Sequence, residues 1–106
     1  MTYELAKELK EAGFPQVVTE HTLIYTPFGE LKFEGEIDCI APTLSELIDA
    51  CGPTHPTHIF YQFCLIRSEN EWCAGYMDDE MQTTLPIEKG TTPEEAVARL
   101  WLALQK

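Results

Sequence analysis

One cysteine and two of the three histidines lie within eight residues, in the segment CGPTHPTH at 51–58. Thiolate and imidazole are preferred zinc ligands, so Cys51, His55 and His58 could supply three of them. A fourth would come from one of the other cysteines, Cys39, Cys64 or Cys73. The spacing C-x3-H-x2-H is not one of the usual zinc spacings, so we expect no cofactor, with zinc as the alternative. The alternative is a loop rich in Gly, Pro and Thr that leaves a helix.

The same residues could provide a second chemistry, a cysteine nucleophile with a histidine base. The thiolate would be Cys51 or Cys73, and the base His55 or His58. Cys51 falls at the C-terminal end of a predicted helix, where the negative end of the helix dipole disfavours a thiolate. The sequence contains no G-x-G-x-x-G, no Walker loop, no G-x-S-x-G and no H-E-x-x-H. We therefore predict no catalytic residues and no enzymatic activity.

Carboxylates form the other set of candidates. Two groups of carboxylates could contact a partner. The first is Glu34, Glu36 and Asp38, and the second is Asp78, Asp79 and Glu80. The group at 78–80 could also hold Mg²⁺ or Ca²⁺, but it lacks the spacing of a calcium-binding loop, which favours a charged hairpin loop. The group at 34–38 is predicted to point off one face of a strand. If both groups share a surface, they create a negative field that attracts a basic protein.

The charge balance limits the classes of partner. The 106 residues include 18 acidic and 7 basic ones, for a net charge of −11. Contacts to phosphates need Lys and Arg, so direct binding to nucleic acid or to anionic membranes is disfavoured. A basic or nucleic-acid-binding protein is a compatible partner. The interpretation that acidity serves solubility alone stays open.

The sequence also predicts a compartment. The start, MTYELAKELKEAG, is charged and amphipathic and has no apolar core of a signal peptide. The longest largely apolar run, 59–66, is far shorter than the ~20 residues that span a bilayer. Four cysteines without an export signal are expected to be reduced. We therefore predict a cytoplasmic protein without a membrane span.

Three segments combine helical periodicity with capping signals: 2–12, 43–52 and 91–106. Gly13 and Gly52 are placed to end the first two helices. In the second helix, Thr43 and Glu46 form a capping box. The third starts with the same motif, Thr92 and Glu95, and has a proline at the first helical position, where its missing N–H is not needed.

Five segments are predicted as strands: 17–25, 31–39, 58–66, 71–77 and 84–88. In 31–39 apolar and charged residues alternate, which predicts a half-buried antiparallel strand with Leu31, Phe33, Ile37 and Cys39 inward. The order is α-β-β-α-β-β-(β)-α. Short connections favour a mostly antiparallel sheet with three helices on one face and a partly open, acidic opposite face, an α+β class. The length predicts one domain over residues 1–106.

Three pieces of the chain carry a resemblance: LAKELKEAGFPQ, TLSELIDACG and TTPEEAVARLWLALQK. They resemble a group of small uncharacterised proteins encoded in phages, prophages and mobile elements, and they cover about a third of the chain. The matching residues are caps and core positions, so the resemblance implies a context and carries no known activity. If it holds, the protein works in the cytoplasm of the phage host.

A strand followed by GTTPEEAVARL is also similar to the way in which the small αβββα domain of HicB-type antitoxins closes. Those proteins neutralise a toxin by binding it. The shared residues are mostly helix-capping residues, on which unrelated helices also converge.

These observations favour a non-catalytic, acidic phage or mobile-element protein that acts by protein–protein contact, as an inhibitor or adaptor. The alternative is a metal- or small-ligand-binding domain that uses the loop of Cys51, His55 and His58. A homodimer formed through an exposed sheet edge is compatible with either hypothesis.

Overall fold

The computed structural model describes residues 1–105, and these residues form three helices and two three-stranded antiparallel sheets. In chain order the elements are α1 (Tyr3–Glu11), β1 (Ile24–Tyr25), β2 (Leu31–Lys32), β3 (Cys39–Ile40), α2 (Leu44–Cys51), β4 (Gln62–Ser68), β5 (Glu71–Met77), β6 (Glu88–Gly90) and α3 (Pro93–Leu104). The predicted α+β class is confirmed. The chain divides into two compact units, Met1–Thr43 and Leu44–Lys106. One domain over residues 1–106 stays a prediction, because this division does not show whether either unit folds alone.

The first unit packs α1 with a small sheet in the order β2-β1-β3. Its core includes the side chains of Ala6, Tyr25 and Cys39, which are almost fully buried. The Tyr25 hydroxyl donates a hydrogen bond to the carbonyl of Met1 at 2.7 Å. The central strand of this sheet thereby fixes the start of the chain.

Helix α1 ends where the sequence predicts. Gly13 has a φ of 97°, a left-handed conformation that suits a residue without a Cβ. Its N–H donates to the carbonyl of Lys10 at 3.1 Å, and the Phe14 N–H donates to that of Leu9 at 2.9 Å. This pair of bonds is the Schellman motif, which satisfies carbonyls that the helix leaves open. Phe14 is buried directly after the turn.

The predictions of long strands at 17–25 and 31–39 are wrong. Only the ends of these segments pair, as β1, β2 and β3, and each of the three strands has two residues. Gly35, with a φ of 126°, lies in the bends that separate β2 from β3. A glycine in an alternating pattern often marks such an interruption. As a result, three of the four residues that were predicted to face inward are exposed: Leu31, Phe33 and Ile37.

The second unit is built on the sheet β4-β5-β6. The hairpin β4–β5 pairs from Gln62 opposite Met77 to Ser68 opposite Glu71, which confirms the predicted strand 71–77. The other two strands are shifted relative to the prediction: β4 begins at Gln62 rather than at 58, and β6 begins at Glu88, after Pro86. Pro86 has no N–H to donate to a ladder.

Helices α2 and α3 of this unit pack on each other, and α3 packs on β5 and β6. The core contains Leu47, Tyr76 and Val97, each at most 1% exposed. The face of β4 and β5 opposite the helices includes the side chains of Cys64, Ile66 and Cys73, which are half-buried. The opposite face of this sheet is therefore partly apolar, and its predicted acidity stays a prediction.

Helix α3 starts with the predicted cap. The Thr92 hydroxyl accepts a hydrogen bond from the Glu95 N–H at 3.2 Å, and Pro93 is the first helical residue. The Glu95 carboxylate accepts from the N–H and the hydroxyl of Thr91, at 3.3 and 2.9 Å. It therefore bonds one residue earlier than a capping box requires.

Candidate functional site

The loop at 53–61 connects α2 to β4 and closes on the start of that strand. Thr54 forms an isolated antiparallel bridge with Gln62. The His55 N–H donates to the carbonyl of Tyr61 at 3.1 Å, and the Tyr61 N–H donates to that of His58 at 2.9 Å. Two prolines, at 53 and 56, further restrict the backbone. The loop is therefore held at both ends.

Within this loop the two histidines converge. Their Nδ1 atoms lie 3.3 Å apart. The Thr57 hydroxyl oxygen lies 3.2 Å from Nδ1 of His55 and 3.0 Å from Nδ1 of His58. The Thr57 N–H donates to Nδ1 of His55 at 3.1 Å. Three polar atoms thus surround one point at the loop surface.

Aromatic rings orient both imidazoles. The ring of His55 stands edge-on to that of Tyr76, with centroids 5.4 Å apart and an interplanar angle of 89°. The ring of His58 stacks on that of Tyr61, with centroids 5.7 Å apart and an angle of 18°. Partial burial and the neighbouring His58 lower the pKa of His55, which favours its neutral form.

An apolar cleft of about 100 Å³ lies beside His55. It is lined by His55, Tyr76, Leu85, Pro86, Leu100, Ala103 and Leu104. The cleft has the volume of one apolar side chain, and its only side-chain polar groups are the imidazole and the phenol. It is therefore a small pocket next to the histidine pair.

Cys51 is not part of the histidine pair. Its thiol is buried and donates to the carbonyl of Val97 at 3.8 Å, inside the contact between α2 and α3. The Tyr76 hydroxyl donates to the carbonyls of Cys51 and Gly52, at 2.6 and 3.0 Å, and so satisfies the end of α2. Among residues 1–105, no group of three or more His, Cys, Asp or Glu residues could hold a metal ion. The predicted three-ligand set of Cys51, His55 and His58 is thus not assembled.

The remaining candidate cysteines are free thiols. Cys39 is fully buried in the first unit, and Cys64 and Cys73 are half-buried on β4 and β5. Burial raises the pKa of Cys51 to about 12, which opposes a thiolate nucleophile at this position.

The buried Cys51 thiol predicts a loss of stability at alkaline pH. Its pKa is raised from 9.0 to about 12 in the folded protein, so unfolding above pH 9 releases a proton. Its contribution to stability is complete below pH 9 and falls as pH rises towards 12, by at most ~1.4 kcal/mol per pH unit. We expect the free energy of unfolding in urea to fall more steeply between pH 9 and 11 for the wild type than for Cys51→Ala. Cys64→Ala is the control and should keep the wild-type slope; equal slopes for all three proteins would contradict this account.

Asp38, one of the predicted partner-binding residues, also has a structural role. Its carboxylate accepts a hydrogen bond from the Tyr3 hydroxyl, and its backbone carbonyl accepts one from the Lys10 ammonium group. The Lys10 nitrogen is also 3.9 Å from the Asp38 carboxylate. The bond to Asp38 raises the pKa of Tyr3 to about 12. Asp38 therefore attaches its segment to α1, and its role in partner binding stays a prediction.

The exposed residues before Asp38 form a surface that sequence reasoning missed. We call residues 28–37 the acidic–apolar segment. Its apolar side chains are largely exposed: Phe28 at 86%, Leu31 at 51%, Phe33 at 61% and Ile37 at 46%. Glu34 and Glu36 are exposed between them, as predicted, although they do not lie on a strand. The signal in the sequence was Gly35, which argues against a continuous strand and hence against inward-facing side chains.

The carboxylates at 78–80 form a charged loop, as the sequence favours. The Asp78 carboxylate accepts from the N–H groups of Glu80 and Gln82, both at 2.9 Å. The bond to Glu80 is that of an Asx turn, and the bond to Gln82 closes the loop further, so Asp78 shapes the loop. Asp79 and Glu80 are exposed. This loop belongs to the second unit, and the acidic–apolar segment belongs to the first.

Comparison with known proteins returns no relative. No protein-family model matches the chain, no curated protein matches it and no solved structure matches it. No helix within residues 1–105 has both the length and the apolar character needed to cross a membrane.

Proposed function

We propose that the protein is not an enzyme and acts by binding a basic protein through the acidic–apolar segment. The observation that carries this proposal is the exposure of four large apolar side chains, Phe28, Leu31, Phe33 and Ile37, within ten residues that also carry exposed carboxylates. Single exposed apolar residues are normal, but a concentrated group of them is typical of an interaction surface.

The residue types fit the anatomy of a protein interface. Aromatic side chains are the commonest anchors, because they bury a large area at a small cost in conformational entropy. Phe28 and Phe33 are the aromatic residues of the segment. Charged residues around such anchors mainly steer association and select the partner. Here the surrounding charges are those of Glu30, Glu34 and Glu36.

The sign of these charges supports one kind of partner, a basic protein. Glu30 is 3.1 Å from the ammonium group of Lys32, whereas Glu34 and Glu36 form no ion pair with any residue of the described chain, 1–105. A second copy of the chain also has a net charge of −11, so it would repel these carboxylates. A partner with apolar pockets bordered by Lys or Arg would pair with both carboxylates. We therefore assign a basic protein surface to this segment.

The backbone at both ends of the segment is fixed. The Gly29 N–H donates to the carbonyl of Thr26 at 2.8 Å and closes the turn that starts the segment. The Asp38 N–H donates to the carbonyl of Tyr25 at 2.8 Å, directly after its last residue. A segment held in this way loses less conformational entropy on binding than a free peptide.

The biological setting is part of the same proposal. The three helical pieces that resemble phage and mobile-element proteins support a setting in the cytoplasm of a host cell, where the binding of a basic protein would make the protein an inhibitor or adaptor. The acidic balance of the chain also supports a partner that itself binds nucleic acid, because such proteins have basic surfaces.

Neutralising two carboxylates tests this assignment. The tagged protein is used to capture partners from an extract of cells that carry the gene, at low and at high salt. We expect Glu34→Gln with Glu36→Gln to reduce the captured partner several-fold at low salt, because steering and pairing by these charges are lost. The matched control, Asp79→Asn with Glu80→Gln, removes the same net charge from the second unit and should leave capture unchanged.

Two results of the capture experiment would contradict the proposal. A partner that survives high salt and the loss of Glu34 and Glu36 would not be held by these charges, and equal losses in both double variants would indicate non-specific attraction to an acidic protein. Either result would overturn the proposal.

A further inference from the structure

The Nδ1 atoms of the two histidines in the 53–61 loop have the separation of two ligands of one metal ion, although no third His, Cys, Asp or Glu within residues 1–105 joins them. Two nitrogen ligands that each lie ~2.0–2.1 Å from a tetrahedral ion are ~3.3–3.4 Å apart. The Nδ1 atoms of His55 and His58 are 3.3 Å apart. Little movement is therefore needed for both to contact one ion.

The Nδ1 atoms can also offer lone pairs to an ion. The Thr57 N–H donates to Nδ1 of His55, so that nitrogen carries a lone pair rather than a proton. The Thr57 hydroxyl lies 3.0 Å from Nδ1 of His58, where it can donate to a second lone pair. With both Nδ1 atoms unprotonated, no hydrogen bond joins the two rings, and one cation could contact both nitrogens.

The two imidazole rings already have fixed orientations before an ion binds. The contact of His55 with Tyr76 and the stacking of His58 on Tyr61 fix the direction of each imidazole. Hydrogen bonds between the loop backbone and Tyr61 fix their separation. Such preorganisation favours binding, because ligands that are already positioned lose little conformational freedom.

We propose that His55 and His58 bind a divalent first-row metal ion of the kind that prefers imidazole, such as Zn²⁺, through their Nδ1 atoms. Water or a donor atom of a bound molecule would complete the coordination, since a site with two protein ligands remains open. Binding replaces the hydrogen bond from the Thr57 N–H to His55, which limits the affinity. The proposal uses neither Cys51 nor the acidic–apolar segment, so it is independent of the proposed function.

Isothermal titration of the full, untagged, reduced protein with Zn²⁺ tests this site. Two ligands supply about half the binding free energy of a four-ligand zinc site, which corresponds to a dissociation constant of roughly 1–200 µM. We expect His55→Ala and His58→Ala each to weaken binding at least tenfold. His21→Ala is the matched control, because His21 is an exposed histidine in a separate turn, and it should bind like the wild type.

His58 is exposed, so its substitution should leave the fold intact, and a circular dichroism melt checks this. A dissociation constant of the wild type for Zn²⁺ above ~1 mM would overturn the proposal, because binding this weak is at the limit of what counts as specific. The two histidines would then be a pair without a metal ion, hydrogen-bonded to Thr57. Zinc binding of unchanged affinity in a folded His58→Ala protein would overturn it as well, since the ion would then be held by other groups.

Discussion

Gly90→Ala is expected to destabilise the protein by about 3 kcal/mol or more, at the upper end of what overpacking produces. A Cβ at position 90 would lie 2.6 Å from the backbone nitrogen of Ala96 and 2.7 Å from Cβ of Glu95. Both atoms belong to the first turns of α3, so the clash cannot be relieved by turning a flexible side chain. Helix α3 would have to move away from β6, although its Ala96 and Val97 are fully buried.

Chemical denaturation of the wild type and the variant measures this effect. The matched control is Gly75→Ala in β5, where the new Cβ would lie 3.3 Å from Cγ1 of Ile87. The Ile87 side chain is 38% exposed and can yield, so we expect a loss below about 1 kcal/mol. A loss below that value for Gly90→Ala as well would show that α3 does not pack against β6 as closely as described.

The second large effect concerns binding rather than stability. The double substitution Phe28→Ser with Phe33→Ser is expected to weaken binding to the captured partner about 100-fold. Removing one aromatic anchor commonly costs about 2 kcal/mol or more, and two such losses are partly additive. Both side chains are mostly exposed, so the free energy of unfolding should change by less than about 0.5 kcal/mol.

Phe60→Ser provides the control for this experiment. Phe60 is 83% exposed, like Phe28, but it lies in the 53–61 loop of the second unit. Its substitution removes a comparable exposed ring and should leave the affinity, measured by surface plasmon resonance, unchanged. If Phe60→Ser weakened binding as much as the double substitution, the contact would not be specific to the acidic–apolar segment.

The helices could be predicted because their boundaries depend on residues that are close in sequence. Thr92 and Pro93 start α3, and Gly13 ends α1, through bonds that span only a few residues. The strand at 71–77 was predictable for a related reason, since β4 and β5 are joined by a tight turn. In each case the local signal and the tertiary packing favour the same structure.

The first sheet and the roles of its residues could not be predicted in this way. The alternation in 31–39 indicates a strand, but a strand also needs a partner, and only its two ends find one, on β1. Asp38 is bound by Tyr3 and Lys10, which are 35 and 28 residues away. Such contacts depend on how α1 packs, which no pattern within the segment specifies.

The sequence predicted a candidate site at the two histidines, but it did not predict which other residues lie beside them. The spacing of Cys51, His55 and His58 suggested a three-ligand set. The buried stripe of α2 takes Cys51 into the core, and the hydrogen bonds of the loop bring the imidazoles together. Tyr76, which orients His55, comes from β5 and could be assigned only once the sheet was known.

Hydrogen–deuterium exchange of the protein, alone and with its captured partner, tests the central claim most directly. If the acidic–apolar segment is the binding surface, the partner should slow exchange of the backbone amides in residues 28–37 and leave those of residues 78–82 unchanged. Slowed exchange confined to residues 53–61 or 78–82, with residues 28–37 exchanging as in the free protein, would contradict the account.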